Sequence, residues 1–137
     1  MENIMIKLIE VIKNNNKYPL IIVGVSDKFF GSATIINSGI ESSELGIKIG
    51  NNGEYVLPSW LKEMNIKSVK NNDKNILVIE SIDKISSEEQ LKFLGILKNN
   101  GLNGYSFPKN TQIIITCTNV ENVSKRIKDL CLIYKVN

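Results

Sequence analysis

Apolar residues fall into two rhythms along this chain. Between Glu2 and Lys13 they recur at Ile4, Met5, Leu8, Ile9 and Ile12, with Lys7, Glu10 and Lys13 away from that face. That spacing predicts an amphipathic helix, ended by Asn14-Asn15-Asn16. Pro19 to Val25 is instead a continuous apolar run rich in β-branched residues, which predicts a strand buried on both faces of a parallel sheet. Ile76-Leu77-Val78-Ile79-Glu80 and Ile113-Ile114-Ile115-Thr116-Cys117 read the same way, and Cys131 to Val136 is the last strand. Leu45 to Ile49 alternates and predicts a shorter, more exposed strand.

Helices are expected between these runs. One is short, near Ser32 to Ser38, and is stopped by Gly39. Another opens on Pro58 and carries Trp60, Leu61 and Met64 on its inner side. Ser86 and Ser87, each with Glu89 or Gln90 three positions on, offer two overlapping capping boxes for a helix to about Lys98. Val120, Val123, Ile127 and Leu130 line one face of a further helix. Asn99 to Pro108, with two glycines and a proline, predicts a hairpin-like reversal. Strands alternating with helices predict an α/β fold, a three-layer αβα sandwich around a mainly parallel sheet.

Composition narrows the function. The 137 residues suit a single domain, 1–137, with 42% hydrophobic and 23% charged residues, an ordinary globular profile. No apolar run approaches the ~20 residues of a membrane span, so no membrane partner is expected. The start lacks the marks of a secretory leader and the two cysteines stand apart, which suits a reducing cytoplasm. The net charge of +3 comes from scattered lysines, with Arg126 the only arginine. Nucleic acid is therefore not the expected partner, because a backbone-tracking surface needs a concentrated basic stripe. Histidine is absent, which removes the commonest general base and metal ligand. Two cysteines without histidine make no zinc site, and no metal is expected.

In an open parallel sheet, ligands sit at the carboxyl ends of the strands. The informative residues are thus Gly24 to Thr34, Glu80 to Lys84, and Thr116 to Asn119. Here the chain resembles a family. Ile76 to Lys84 is similar to the Walker B strand of AAA+ ATPases, and Ile113 to Asn119 sits where their sensor-1 strand would be. Pro58-Ser59-Trp60-Leu61 and Asn103-Gly104-Tyr105-Ser106-Phe107-Pro108 resemble segments of the MoxR-like branch. Ile127 to Leu132 resembles the family's closing helix-to-strand turn. The resemblance implies a five-stranded P-loop NTPase sheet in the order 5-1-4-3-2. With the strand from Leu20 between those from Ile113 and Leu132, Cys117 and Cys131 are too far apart to bridge and are expected as free thiols.

The positions that carry the family's chemistry are altered. Alignment on Gly24 puts Phe29 at the second P-loop glycine, Phe30 at the lysine that neutralises phosphate, and Gly31 at the Mg²⁺-holding Ser/Thr. Glu80 replaces the Walker B aspartate. Ser81 replaces the glutamate that activates water; serine has no useful basicity near neutral pH, so general-base catalysis is lost unless Asp83 supplies it. Asn119 matches sensor 1, and equally suits a helix N-cap. Leu130 stands at the arginine finger, with Arg126 one turn earlier, and the family's lid domain would follow Asn137.

The resemblance and these departures together imply a degenerate, non-hydrolysing AAA+ ATPase-like module, a pseudoenzyme that binds a protein as an adaptor subunit. No catalytic residue and no cofactor are expected. The expected partner is an intact AAA+ ATPase or a second copy. The alternative is a divergent ATPase that binds ATP and Mg²⁺ with weak hydrolysis. The candidate nucleotide-binding residues are Gly24, Lys28, Gly31, Ser32, Glu80 and Asn119. A decayed gene product with no activity is a third reading. Leu102, Tyr105 and Phe107 are expected to project outward as the docking surface, the alternative being that Tyr105 and Phe107 fold back onto the helix ending at Lys98.

Overall fold

The computed structural model describes residues 9–13, 18–25, 27–30, 33–70, 75–102 and 104–136. Residues 9–13 are helical, the end of the expected first helix; residues 1–8 lie outside the described part. The strands in chain order are β1 (Leu20–Val23), β2 (Thr34–Asn37), β3 (Lys48–Ile49), β4 (Tyr55–Val56), β5 (Asn75–Glu80), β6 (Gly101–Leu102), β7 (Tyr105–Ser106), β8 (Thr111–Cys117) and β9 (Leu132–Lys135). The helices are α1 (Ser59–Lys70), α2 (Ser87–Gln90), α3 (Leu94–Asn99) and α4 (Lys125–Lys128).

Five strands form one parallel sheet in the order β2-β5-β8-β1-β9. Counting only these five, that is the expected order, with β1 between β8 and β9. The central strands are the continuous β-branched runs, because neighbours on both edges and layers on both faces favour apolar side chains; their buried polar residues, Asn75, Gln112 and Thr116, stand near the strand ends. Leu20, Ile21 and Ile22 of β1 and Ile114 and Ile115 of β8 have no measurable exposure.

Alternation along the strands divides the core. On one face Ile21, Ile36, Leu77, Ile79, Ile113 and Ile115 meet Trp60, Leu61 and Met64 of α1, with Phe93, Ile96 and Ile127. On the other, Leu20, Ile22, Val78 and Ile114 meet Ile12 and Phe30. Each fully buried Leu, Ile or Phe contributes roughly 1.5–3 kcal/mol relative to exposure. Trp60 is buried as expected; its indole N–H donates to the Glu44 carbonyl at 2.8 Å, and its ring meets Phe107 edge-on at 6.0 Å.

The structure corrects several expectations. Residues 34–37 are a strand, not a helix: Thr34 and Ile36 point inward and Ile35 and Asn37 outward, a period of two that β-branched side chains favour. Residues 45–49 do not join the main sheet. A 3-10 turn covers Ser42–Leu45, and Lys48–Ile49 pairs antiparallel with β4 in a hairpin. The helix from Ser86 is broken into α2, a 3-10 turn at Leu91–Phe93, and α3. Of its two capping options Ser86 is the one used, its hydroxyl accepting the Glu89 N–H at 3.1 Å. The last helix is likewise a 3-10 turn, Val120–Asn122, followed by α4.

The reversal at Asn99 to Pro108 is the hairpin β6–β7. Its side chains do not project as expected: Leu102 and Phe107 are 4% exposed and belong to the core. Tyr105 is half-buried, and its hydroxyl accepts from the Asn65 side-chain amide at 2.9 Å. Both cysteines are free. Cys117 is level with Val23 and Cys131 precedes Leu132, which is level with Leu20, so all of β1 lies between them.

Candidate functional site

Parallel pairing brings the carboxyl ends of β1, β5 and β8 to one edge, and with them Gly24, Glu80 and Asn119. Gly24 follows β1 at a φ of +88°, and its N–H donates to the Cys117 carbonyl at 3.0 Å. A β-carbon there would come within 2.7 Å of the Val136 carbonyl oxygen, so both the backbone angle and the space require glycine.

Ten residues, 24–33, lead from β1 across β8 and β5 to β2 at the far edge. Three strand spacings, roughly 14 Å, must be crossed in that length. Among the described residues the crossing contains one 3-10 turn, Asp27–Phe30. Phe29 and Phe30 meet edge-on at 4.9 Å, and Phe30 is 4% exposed against Ile22, Val78 and Ile114. The side chain that alignment on Gly24 sets at a P-loop lysine position therefore lies on the sheet as core. Lys28 belongs to the same turn; its side chain, together with Gly31 and Ser32, lies outside the described residues.

Glu80 ends β5 half-buried, level with Asn37 of β2, and its carbonyl accepts the Ser38 N–H at 3.2 Å. Ser81 follows in the left-handed region, φ 57° and ψ 51°, a conformation that costs a non-glycine residue roughly 1–2 kcal/mol. Besides the Lys84 N–H, which donates to its carbonyl at 3.0 Å, two side chains hold it there. Its N–H donates to the Thr116 hydroxyl at 3.0 Å, and its carbonyl accepts from the Ser38 hydroxyl at 2.9 Å. Asp83 is committed as well: one carboxylate oxygen accepts the N–H groups of Thr118 (3.0 Å) and Asn119 (2.8 Å). This clamp fixes the loop after β8 to the loop after β5.

Asn119 is exposed, and its side-chain oxygen accepts the Glu121 N–H at 3.1 Å, capping the turn at Val120–Asn122. Arg126 is exposed on α4, whereas Leu130 is half-buried against the helical face of the core. Burial pushes the Cys117 thiol up to about 11, with the Asp83 carboxylate adding to the shift, and burial pushes Cys131 up to about 12. At neutral pH both are protonated thiols, poor nucleophiles.

The sequence placed Gly24, Glu80 and Asn119 at this edge. It missed Thr116 as the acceptor for Ser81, although one polar residue in a run of three isoleucines is a signal. It also missed the Asp83 clamp, whose partners lie 35 and 36 positions away.

No family model matches the sequence, and no curated protein matches it. Solved structures similar to the chain include NtrX from Brucella abortus, with a TM-score of 0.54 and 16% identity over 96% of this chain and 35% of that one. They also include a DNA polymerase III gamma subunit-related protein from Thermotoga maritima, with a TM-score of 0.50 and 12% identity over 97% of this chain and 45% of that one. The chain spans less than half the length of either. The likeness in backbone course and the strand order together show the fold alone, an α/β domain on a five-stranded parallel sheet in the order β2-β5-β8-β1-β9.

Proposed function

We propose that this chain is a non-hydrolysing AAA+-like module of the MoxR-like branch that acts by binding a protein. The burial of Phe30 on the sheet, within a ten-residue crossing from β1 to β2, carries this reading. A phosphate cradle needs successive backbone N–H groups opening a helix, and a cation to reach the phosphates. A core phenylalanine at the lysine position supplies neither. Ser81, whose hydroxyl is not a base near neutral pH, supports the same reading, and so does Asp83, one carboxylate oxygen of which already accepts the Thr118 and Asn119 N–H groups. The described residues thus do not fit a Mg²⁺-nucleotide.

The MoxR-like assignment draws support from packing. The two segments that carry that resemblance touch through Trp60 on Phe107, and Asn65, further along the same helix, bonds Tyr105. With Leu102 and Phe107 in the core, the docking surface moves to the neighbouring β3–β4 hairpin. Ile49 and Tyr55 are 73% and 74% exposed there, and a groove of about 210 Å³ runs between Ile47, Ile49, Tyr55, Gly104 and Tyr105. Exposed aromatic and branched side chains beside a groove suit a protein ligand.

Two measurements test the proposal. Phosphate release with ATP and Mg²⁺ should not exceed that of a Ser81→Ala control; Mg²⁺-dependent turnover above that control contradicts the non-hydrolysing reading. Crosslinking in native extract should give protein adducts that an Ile49→Ser, Tyr55→Ser variant of unchanged stability loses. Identical adducts from both proteins would overturn the surface assignment.

A further inference from the structure

The outer side of β9 is an open strand edge whose backbone phase can be read. The Leu132 N–H donates to the Pro19 carbonyl at 3.0 Å, and the Val136 N–H to the Val23 carbonyl at 2.9 Å. Successive residues of a strand turn their N–H and C=O groups to opposite sides. Residues 132, 134 and 136 therefore face β1, and Ile133 and Lys135 turn theirs outward. Among the described residues no strand pairs with that side. The side chains leave the edge bare on both faces of the sheet, with Leu132 48% and Ile133 45% exposed. An unpaired edge of this kind, without proline or bulge, is a template for another strand.

We propose that β9 pairs antiparallel with β9 of a second copy, about a two-fold axis through Ile133. The occupant follows from self-complementarity. With Ile133 opposite its own copy, the outward N–H and C=O of each Ile133 bond to the other. The Lys135 N–H meets the Cys131 carbonyl of the second copy, while the Cys131 N–H is already satisfied by the Lys128 carbonyl. Leu132 falls opposite Tyr134, an aromatic–aliphatic cross-strand pair, and no lysine faces a lysine. The two five-stranded sheets become one continuous sheet of ten.

The other edge, β2, is less suited. Of its two outward residues, Ile35 is 38% exposed, and the Asn37 side chain is occupied by the Gly39 N–H at 2.8 Å. This pairing does not rest on the function proposed above. A short edge contact buries less than the ~1,200 Å² of a stable complex, so association is weak and needs roughly 0.1–1 mM protein.

Analytical ultracentrifugation of the chain across that range, with amide hydrogen exchange at both extremes, tests the proposal. The apparent mass should approach twice the monomer. Exchange at Ile133 and Lys135 should slow several-fold with concentration, while Tyr134, bonded to β1, stays unchanged. Ile133→Lys and Ile133→Asp should each be monomeric, and their equimolar mixture should recover the dimer, since only this register sets residue 133 against itself. Ile35→Lys should dimerise like wild type. A monomer at every concentration, slowing of all three amides alike, no recovery in the mixture, or loss of the dimer in Ile35→Lys would each overturn it. Should either 133 variant fail to fold, the alternating exchange pattern of the wild type decides.

Discussion

Ser81 shows how the carboxyl edge is held at the level of single residues. Its left-handed backbone is maintained by the Thr116 hydroxyl and the Ser38 side chain, and both bonds go to its main chain. Ser81→Gly keeps both bonds and relieves the strain, so it should raise stability by up to about 1 kcal/mol. Ser81→Val should lower it by more than about 1 kcal/mol, because a β-branched residue is disfavoured there. Urea midpoints check both; a glycine variant less stable than valine would refute the account. The cysteines give a pH prediction. Their folded values, about 11 and about 12, stand above the ordinary 9.0. A thiol raised on folding stabilises fully below the unfolded value and loses that contribution as pH climbs through the folded one. The stability difference between wild type and a Cys117→Ala, Cys131→Ala variant should thus be constant below about pH 9 and shift against wild type between about pH 9 and 12. A difference that does not change over that window would contradict the burial of the thiols.

At the scale of elements, Trp60 joins α1 to the β6–β7 hairpin. Native tryptophan emission should be blue-shifted and move red on unfolding. Phe107→Ala should cost about 3–5 kcal/mol and shift the native emission, since it removes the ring against the indole. Unchanged emission and stability would show that the hairpin is not docked there. The three central strands were legible because a strand with two neighbours and two covered faces carries a continuous apolar run. β2 was not, since Thr34 to Asn37 is only four residues and ends at a glycine-containing turn that also suits a helix stop. Its pairing with β5, Ile35 level with Val78, decides the matter, and that partner is 43 positions away. The site divides in the same way. Gly24 and Asn119 follow recognisable runs, and the Asn119 cap is local chemistry. The Asp83 clamp and the burial of Leu102 and Phe107 depend on long-range packing, for which neither spacing nor composition gives a sign.

Over the whole molecule, one covered face of the sheet has a feature that bears on function. Phe30 helps to close that face with Ile12, so the connection between β1 and β2 serves as core. Phe30→Lys, the change that would install the family's cation, should therefore cost about 3–5 kcal/mol and bring no nucleotide affinity. A stable variant that gains Mg²⁺-ATP binding would mean that the crossing retains a phosphate-binding course. The most direct measurement is a titration of Mg²⁺-ATP and Mg²⁺-ADP into the wild-type chain, followed by amide NMR shifts and thermal unfolding. Saturable binding with a Kd a hundredfold below the nucleotide concentration stabilises a fold by about 2.7 kcal/mol, which a melting curve resolves readily. No saturable shift of Gly24, Glu80 or Asn119 and no rise in Tm are expected up to about 1 mM nucleotide. Saturation below about 1 mM, centred on those residues and accompanied by a rising Tm, would contradict that expectation.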